Sequence, residues 1–410
     1  MNFSSISTNK AIALGIVGLA FTAAAVSCIS VSTANQDCVV MGVQSNGTSL
    51  TGMSKKEVRK YFDQEAKKAL SKNAAVLSYK DRSWNIQPNE IGLQAKVDEA
   101  AEEAYNIGRE GNTVTNLINQ MKLAIFGKNV VMTASFDKDK LNAKLSAIEK
   151  DVDTPPENAE VSLQANGSIQ KKPAVTGLTL DTAPVAEELA PKFEALELTA
   201  KVELEPKEDK PFILDEDIAN IDAVLGSYTT RFYPGDRGDN IGLAASHLQG
   251  ALIRSQATLS FNNIVGQRTR AAGYKNAGVI VNGEPAVDVG GGVCQVSSTL
   301  YNAILLAGLK PTERSNHSLP SSYVPAGRDA TVADGLLDFV FQNPLPHPVV
   351  LRVSNSGSAL TIYVLGTKAD LGGKTISLVS EGPSTRPSVY RIWKQDGKVV
   401  EREFLHTDTF

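Results

Sequence analysis

Gly290-Gly-Gly-Val-Cys294 runs directly into Gln295-Val-Ser-Ser-Thr-Leu-Tyr301-Asn-Ala. No other stretch restricts the chain as much. Consecutive glycines admit positive φ and let other backbone come close. The residues after them have a helical period: Val296, Leu300, Ala303, Ile304 and Ala307 fall on one face, and Gly308 stops the run. The pattern predicts a glycine turn that opens a buried helix, with Cys294 in its first turn. Unpaired backbone N–H groups and the helix dipole favour a thiolate there. Such a cysteine is a candidate nucleophile. The local pattern is equally that of a small buried hydrophobe at a helix start.

The chain has 410 residues, room for two or three domains, and its 42% hydrophobic and 21% charged content is that of a globular protein. A net charge of −4 gives no pull toward nucleic acid. The cysteines are Cys28, Cys38 and Cys294, too few for a disulfide framework, and no CxxC or HxxxH spacing suggests a metal site. Glycines before a helix also suit phosphate, but no Lys-Ser/Thr follows and no dinucleotide fingerprint is present. Neither nucleotide, metal nor another cofactor is therefore expected.

No charge falls between Lys10 and Asp37, and residues 11–31 are apolar or small. As a helix they would span about 31 Å at ~1.5 Å per residue. The first expectation is a single N-terminal membrane span within residues 1–36, with the cytoplasmic membrane as a partner and the bulk of the chain extracytoplasmic. A cleaved signal peptide ending near Ser32-Thr33-Ala34 and a lipoprotein at Cys28 are the alternatives.

Past that segment the chain divides into residues 40–126, 129–205 and 212–410. In the first, Ser54 and Glu57 form a capping-box signal for a helix to about Leu70. A strand over 74–79, Ile91-Gly-Leu93 and an acidic helix through Tyr105 follow. The second has a strand, a helix near 138–149, a hairpin about Asn166-Gly167, then Gly177-Leu178 and another Ala/Glu-rich helix. The common order predicts two α+β repeat units without chemistry of their own. Beyond Lys210 all four histidines appear. Strands are expected over 336–342, 347–353 and 359–365, with a terminal hairpin about Asp396-Gly397. The fold class is α+β, with the cysteine helix packed on a mainly antiparallel sheet.

Residues 212–410 resemble the VanW domain, a family named from vancomycin-resistance clusters. The motifs are Gly226-Ser-Tyr-Thr-Thr-Arg-Phe, Asn240-Ile-Gly-Leu-Ala-Ala, Leu259-Ser-Phe-Asn-Asn-Ile-Val-Gly and Gly273-Tyr-Lys-Asn-Ala. They continue in Gly290-Gly-Gly-Val-Cys-Gln-Val-Ser-Ser-Thr-Leu-Tyr-Asn, Arg314-Ser-Asn-His-Ser and Tyr323-Val-Pro-Ala-Gly-Arg-Asp-Ala-Thr-Val. Residues 40–205 resemble the peptidoglycan-binding repeats often placed before that domain. The resemblance implies peptidoglycan as partner. Some similar proteins carry the Gly-Gly-Gly-x-Cys cysteine and act as L,D-transpeptidases forming 3-3 cross-links. A cysteine peptidase of the same stem peptides and a non-catalytic wall-binding scaffold remain open alternatives.

Transpeptidation needs a thiolate, a base and a group that orients the base. His317, just past the helix and inside the Arg-x-x-His-Ser motif, is the expected base. His247, His347 and His406 read as structural or tail residues. Asp329 is the expected orienting carboxylate, with Asp334 and Asp338 as rivals. Arg328 could grip a substrate carboxylate. Gly290, Gly291 and Gly292 would approach the substrate and, with Cys294, supply oxyanion N–H donors. The resemblance adds Tyr323 to the substrate-binding set.

Overall fold

The computed structural model describes residues 37–281 and 284–410. It is a mixed α+β protein with several small sheets. The expected membrane span lies outside the described residues. Among the described residues no helix is long and apolar enough to cross a membrane. The single-span membrane placement, and the membrane as a partner, is corrected accordingly and plays no further part.

The chain forms two compact units. One comprises the described residues up to Pro155 together with Leu178–Glu208; the other comprises Pro156–Gly177 and Asp209–Phe410.

In the first unit, helix α1 (Lys55–Leu70) starts at Ser54. The Ser54 hydroxyl accepts from the Glu57 N–H at 3.3 Å, and the Glu57 carboxylate accepts from the Ser54 N–H at 2.8 Å. This reciprocal cap satisfies two N–H groups the helix cannot pair internally. Val58, Phe62 and Ala66, spaced by four, form its buried face. A hairpin of β1 (Ala75–Tyr79) and β2 (Arg82–Ile86) follows, then α2 (Val97–Asn106), α3 (Thr113–Phe126) and α4 (Lys138–Val152). The next hairpin, β3 (Glu160–Leu163) and β4 (Ile169–Lys172), belongs to the second unit. The chain returns to the first unit with α5 (Ala183–Glu194) and β5 (Ala200–Glu203). Leu141, Leu145 and Ile148 of α4 share a core with Leu189 and Phe193 of α5. The order helix–hairpin–helix occurs twice, but the pairings differ. β1 takes β5 as a parallel neighbour, whereas β3 pairs with β4 alone.

The second unit has a four-stranded antiparallel sheet. Its members are β6 (Ala223–Arg231), β7 (Leu252–Ile253), β12 (Val349–Asn355) and β13 (Ala359–Gly366), in the order β6-β13-β12-β7. Between these lie α6 (Asp236–Ser246), the hairpin β8 (Asn276–Val281) and β9 (Glu284–Val289), α7 (Val293–Leu306), β10 (Lys310–Glu313) and β11 (Val340–Gln342). The chain ends in a three-stranded antiparallel sheet of β14 (Lys374–Glu381), β15 (Ser388–Gln395) and β16 (Lys398–Thr407).

α7 packs against β6 and β13. Gly226 allows the close approach: a Cβ there would lie 2.5 Å from Ala307 N and 2.7 Å from Ala303 O. Val296, Leu300 and Ile304 are wholly buried, each contributing roughly 1.5–3 kcal/mol of apolar transfer. The polar residues of α7 are buried too, and each has a partner. Thr299 Oγ1 donates to Gln295 O and shares a 2.8 Å bond with Thr230 Oγ1, while Asn302 Nδ2 donates to Ser298 O. Paired polar groups of this kind fix the rotation of the helix, and so the direction of Cys294.

Candidate active site

Cys294 is the second residue of α7. The turn before it needs its glycines. Gly290 and Gly292 have φ of +82° and +106°, where a side chain is strained. Gly291 is required by space, since a Cβ would sit 2.6 Å from the Ala277 carbonyl carbon and oxygen. Buried Asn240 of α6 pins this turn by donating to Gly291 O at 3.0 Å and to Lys275 O at 2.9 Å. The first-turn N–H of Cys294 has no helical acceptor, which leaves it directed at the space before the helix.

His317 lies in the segment after β10, where Ser315 bridges to Thr331. Its Nδ1 faces Asp329 Oδ2 at 2.5 Å, and its backbone N–H donates to the same oxygen at 2.7 Å. One carboxylate oxygen thus fixes both ring and main chain. Nε2 takes no part in this pairing, and the imidazole interacts electrostatically with the Cys294 sulfur, each favouring the other's charged form. In its thiol form Sγ donates to Val332 O at 3.4 Å. The structure therefore brings Cys294, His317 and Asp329 into one line.

Charges along this line follow from the geometry. Burial alone would push the Cys294 thiol up, but the adjacent imidazolium brings it below the usual thiol value, with a smaller contribution from Arg268. Burial opposes protonation of His317; Asp329 and the thiolate overcome it and raise its pKa from 6.5 to about 9. Burial would raise Asp329, whereas its two bonds from His317 and the nearby Arg314 hold it below the usual carboxylate range. Both shifts run in the direction that favours a thiolate beside an imidazolium.

The other expected residues are placed as follows. Tyr323 meets the His317 ring edge-on at 6.4 Å, and nearby Ser298 Oγ donates to Cys294 O at 2.7 Å. Burial, and then the negative charge at Cys294, push the Tyr323 phenol far above its ordinary value. Arg328 points elsewhere: its Nε donates to Asn302 Oδ1 at 2.7 Å, and its guanidinium lies over the Tyr228 ring at 5.1 Å. That side chain is engaged by the fold of α7 and β6. Asp334 pairs with Arg268, and Asp338 accepts from the N–H groups of Asn262 and Phe339. His347 pairs with Asp370 at 2.8 Å, and His247 is exposed at the end of α6.

Two residues missed in the sequence support the line from behind. Arg314 donates from Nε to Asp329 O at 2.7 Å and from Nη2 to Asp329 Oδ1 at 3.2 Å. It also grips Asp408 through two bonds of 2.6 and 2.7 Å. His406 Nε2 meets Gly327 O at 2.9 Å. The terminal strand β16 and the residue just after it thus reach the loop that carries Asp329. Arg314 lies inside a motif the sequence had offered. Asp408, next to the end of the chain, carried no local signal.

Residues 236–365 match the family described as VanW like protein, and residues 84–202 match the one described as "Putative peptidoglycan binding domain". The chain thus carries a VanW-like segment, preceded by a segment similar to a peptidoglycan-binding domain. Its relatives include the uncharacterized protein YoaR of Bacillus subtilis, 39% identical over 191 residues, 46% of this chain and 62% of that protein. The vancomycin B-type resistance protein VanW of Enterococcus faecalis is 32% identical over 141 residues, 32% of this chain and 50% of that protein. The chain thus spans less than two thirds of either relative. No solved structure matches it. Cys294, His317 and Asp329 fall inside the VanW-like segment and Asp408 falls outside it.

Proposed function

We propose that this protein is a cysteine acyltransferase of peptidoglycan, an L,D-transpeptidase that forms 3-3 cross-links through a thioester. The observation that carries the reading is the line from Cys294 through His317 to buried Asp329 at a helix N-terminus. The peptidoglycan-binding-type domain supports peptidoglycan as the partner. In this reading residues 40–126 and 129–205 are the wall-binding repeats and 212–410 the catalytic domain.

The Cys294 thiolate attacks the carbonyl of a stem-peptide bond. The developing oxyanion is held by N–H groups of Cys294 and the preceding glycine turn. The His317 imidazolium gives its Nε2 proton to the departing amine, leaving a thioester and a neutral imidazole. An amine from a neighbouring stem then attacks the thioester, His317 takes its proton, and Cys294 departs as thiolate. Asp329 keeps the ring oriented and stabilises its charged form throughout.

Muropeptide mass spectrometry tests this on purified wall incubated with wild type or Cys294→Ala. New 3-3 linked dimers from wild type alone support the reading. Shortened stems without dimers would make water the acceptor and the protein a peptidase. No change in the muropeptides would leave wall binding alone.

A further inference from the structure

With Arg328 held by Asn302 and Tyr228, the cation that flanks Cys294 is a different one. Arg237 stands in the first turn of α6. Its Cγ and backbone oxygen press on Gly292, where a Cβ would meet them at 2.9 and 3.0 Å. Its Nη1 donates to Gln295 Oε1 at 2.8 Å. Gln295 is itself fixed, its Nε2 donating to Thr230 Oγ1 at 3.0 Å and Arg231 O at 2.9 Å. The guanidinium lies 6.0 Å over the ring of Tyr323, whose edge meets His317. Arg237 thus touches the residues on both sides of Cys294 and shares an aromatic wall with the base.

Arg237 lacks the carboxylate partners of Arg268 and Arg314, and unlike Arg328, which shares that lack, it touches Gly292 and Gln295. Arg268 has Asp334, and Arg314 has Asp329 and Asp408. The acidic neighbours of Arg237 on α6 turn away: Asp236 and Asp239 bind Lys275 at 3.1 and 2.7 Å. Among the described residues no carboxylate pairs with Arg237. A half-buried guanidinium oriented only by a neutral amide and an aromatic face keeps N–H donors free in a fixed fork. That geometry matches a carboxylate.

We propose that Arg237, set by Gln295 and Tyr323, is a carboxylate-binding subsite beside Cys294. It selects acyl donors that carry a free carboxylate next to the bond under attack. The identity of the donor as a stem peptide rests on the function proposed above; the subsite does not depend on acyl transfer. The carboxylate could be the C-terminal one of the departing residue or one on a side chain of the stem. The two differ in which amidation abolishes binding.

The test uses the full-length protein with Cys294→Ala, so that binding is measured without reaction. Calorimetry compares three synthetic stem tetrapeptides: one with all carboxylates free, one with a C-terminal amide, and one with its side-chain carboxylates amidated. One amidation should weaken binding at least about tenfold, the difference between a charge-assisted and a neutral contact. Arg237→Gln should remove that discrimination, and Arg237→Lys should keep part of it. Equal binding of all three peptides, no binding of any, or full discrimination in Arg237→Gln would overturn the subsite. Acyl transfer is scored separately, as a covalent adduct on wild type. An adduct without carboxylate discrimination sinks only the subsite, and discrimination without an adduct sinks only the transfer reading.

Discussion

Asp329→Asn isolates the electrostatic part of the site, because it keeps the shape and removes the charge. Asp329 is about 1% exposed, and its oxygens take two bonds from His317 and one from Arg314. Raising His317 from 6.5 to about 9 amounts to about 3 kcal/mol of preference for the imidazolium, at ~1.36 kcal/mol per tenfold. The hydrogen bond to Asp329 is the largest single contribution that raises it. Its loss should remove a part on the order of 1.5 kcal/mol and lower the thiolate–imidazolium population about tenfold. The assay is the rate of Cys294 alkylation by a small neutral electrophile across pH. Wild type should react well below the pH at which an ordinary thiol, with pKa near ~8.5, ionises. In Asp329→Asn the half-maximal rate should move up by about one pH unit, with circular dichroism unchanged. An unchanged profile in a folded variant would refute the claim that Asp329 charges the pair.

Other outcomes follow from the same geometry. His317 should titrate near pH 9 by NMR and fall when Cys294→Ala removes the thiolate; its stabilisation of the fold is full below its unfolded pKa of ~6.5 and is lost as pH rises through about 9. Gly291→Ala forces a Cβ onto Ala277 backbone that cannot yield, so chemical unfolding should show a loss of about 1–3 kcal/mol and thiol reactivity should drop. Asp408→Asn removes one of the two carboxylates that pair with Arg314 and should cost about 3 kcal/mol in a urea titration, although the residue is remote in sequence from Cys294. Phe193→Ala empties a fully buried site beside Phe136 and should cost roughly 3–5 kcal/mol in the same measurement.

The sequence revealed whatever is decided within a few residues. The Ser54–Glu57 cap, the glycine turn before Cys294 and the terminal hairpin are local chemistry, and the structure has each of them. It was silent where distant segments decide. Arg314 and Asp408 are far apart in the chain and meet only because β16 folds back beside the loop that carries Asp329. Nothing in Gly327-Arg-Asp says that Arg328 turns to Asn302 while Asp329 turns to His317. Nor did the sequence suggest Arg237, whose place depends on Gly292 admitting its side chain. Helix α3 went unread because none of its residues is buried and its β-branched residues give a weak helical signal. The order helix–hairpin–helix was visible in the sequence, whereas strand pairing, a long-range property, differs between its two occurrences.

Intact-protein mass spectrometry of the protein mixed with a stem tetrapeptide and quenched in acid tests the central claim most directly. Wild type should gain the mass of the acyl donor minus its leaving residue, mapped to Cys294 and released by hydroxylamine as a thioester is. Cys294→Ala should gain nothing, and His317→Ala should form the adduct at least about 100-fold more slowly. A wild-type protein whose Cys294 alkylates rapidly at neutral pH yet never carries acyl mass, at any peptide concentration, would contradict the account.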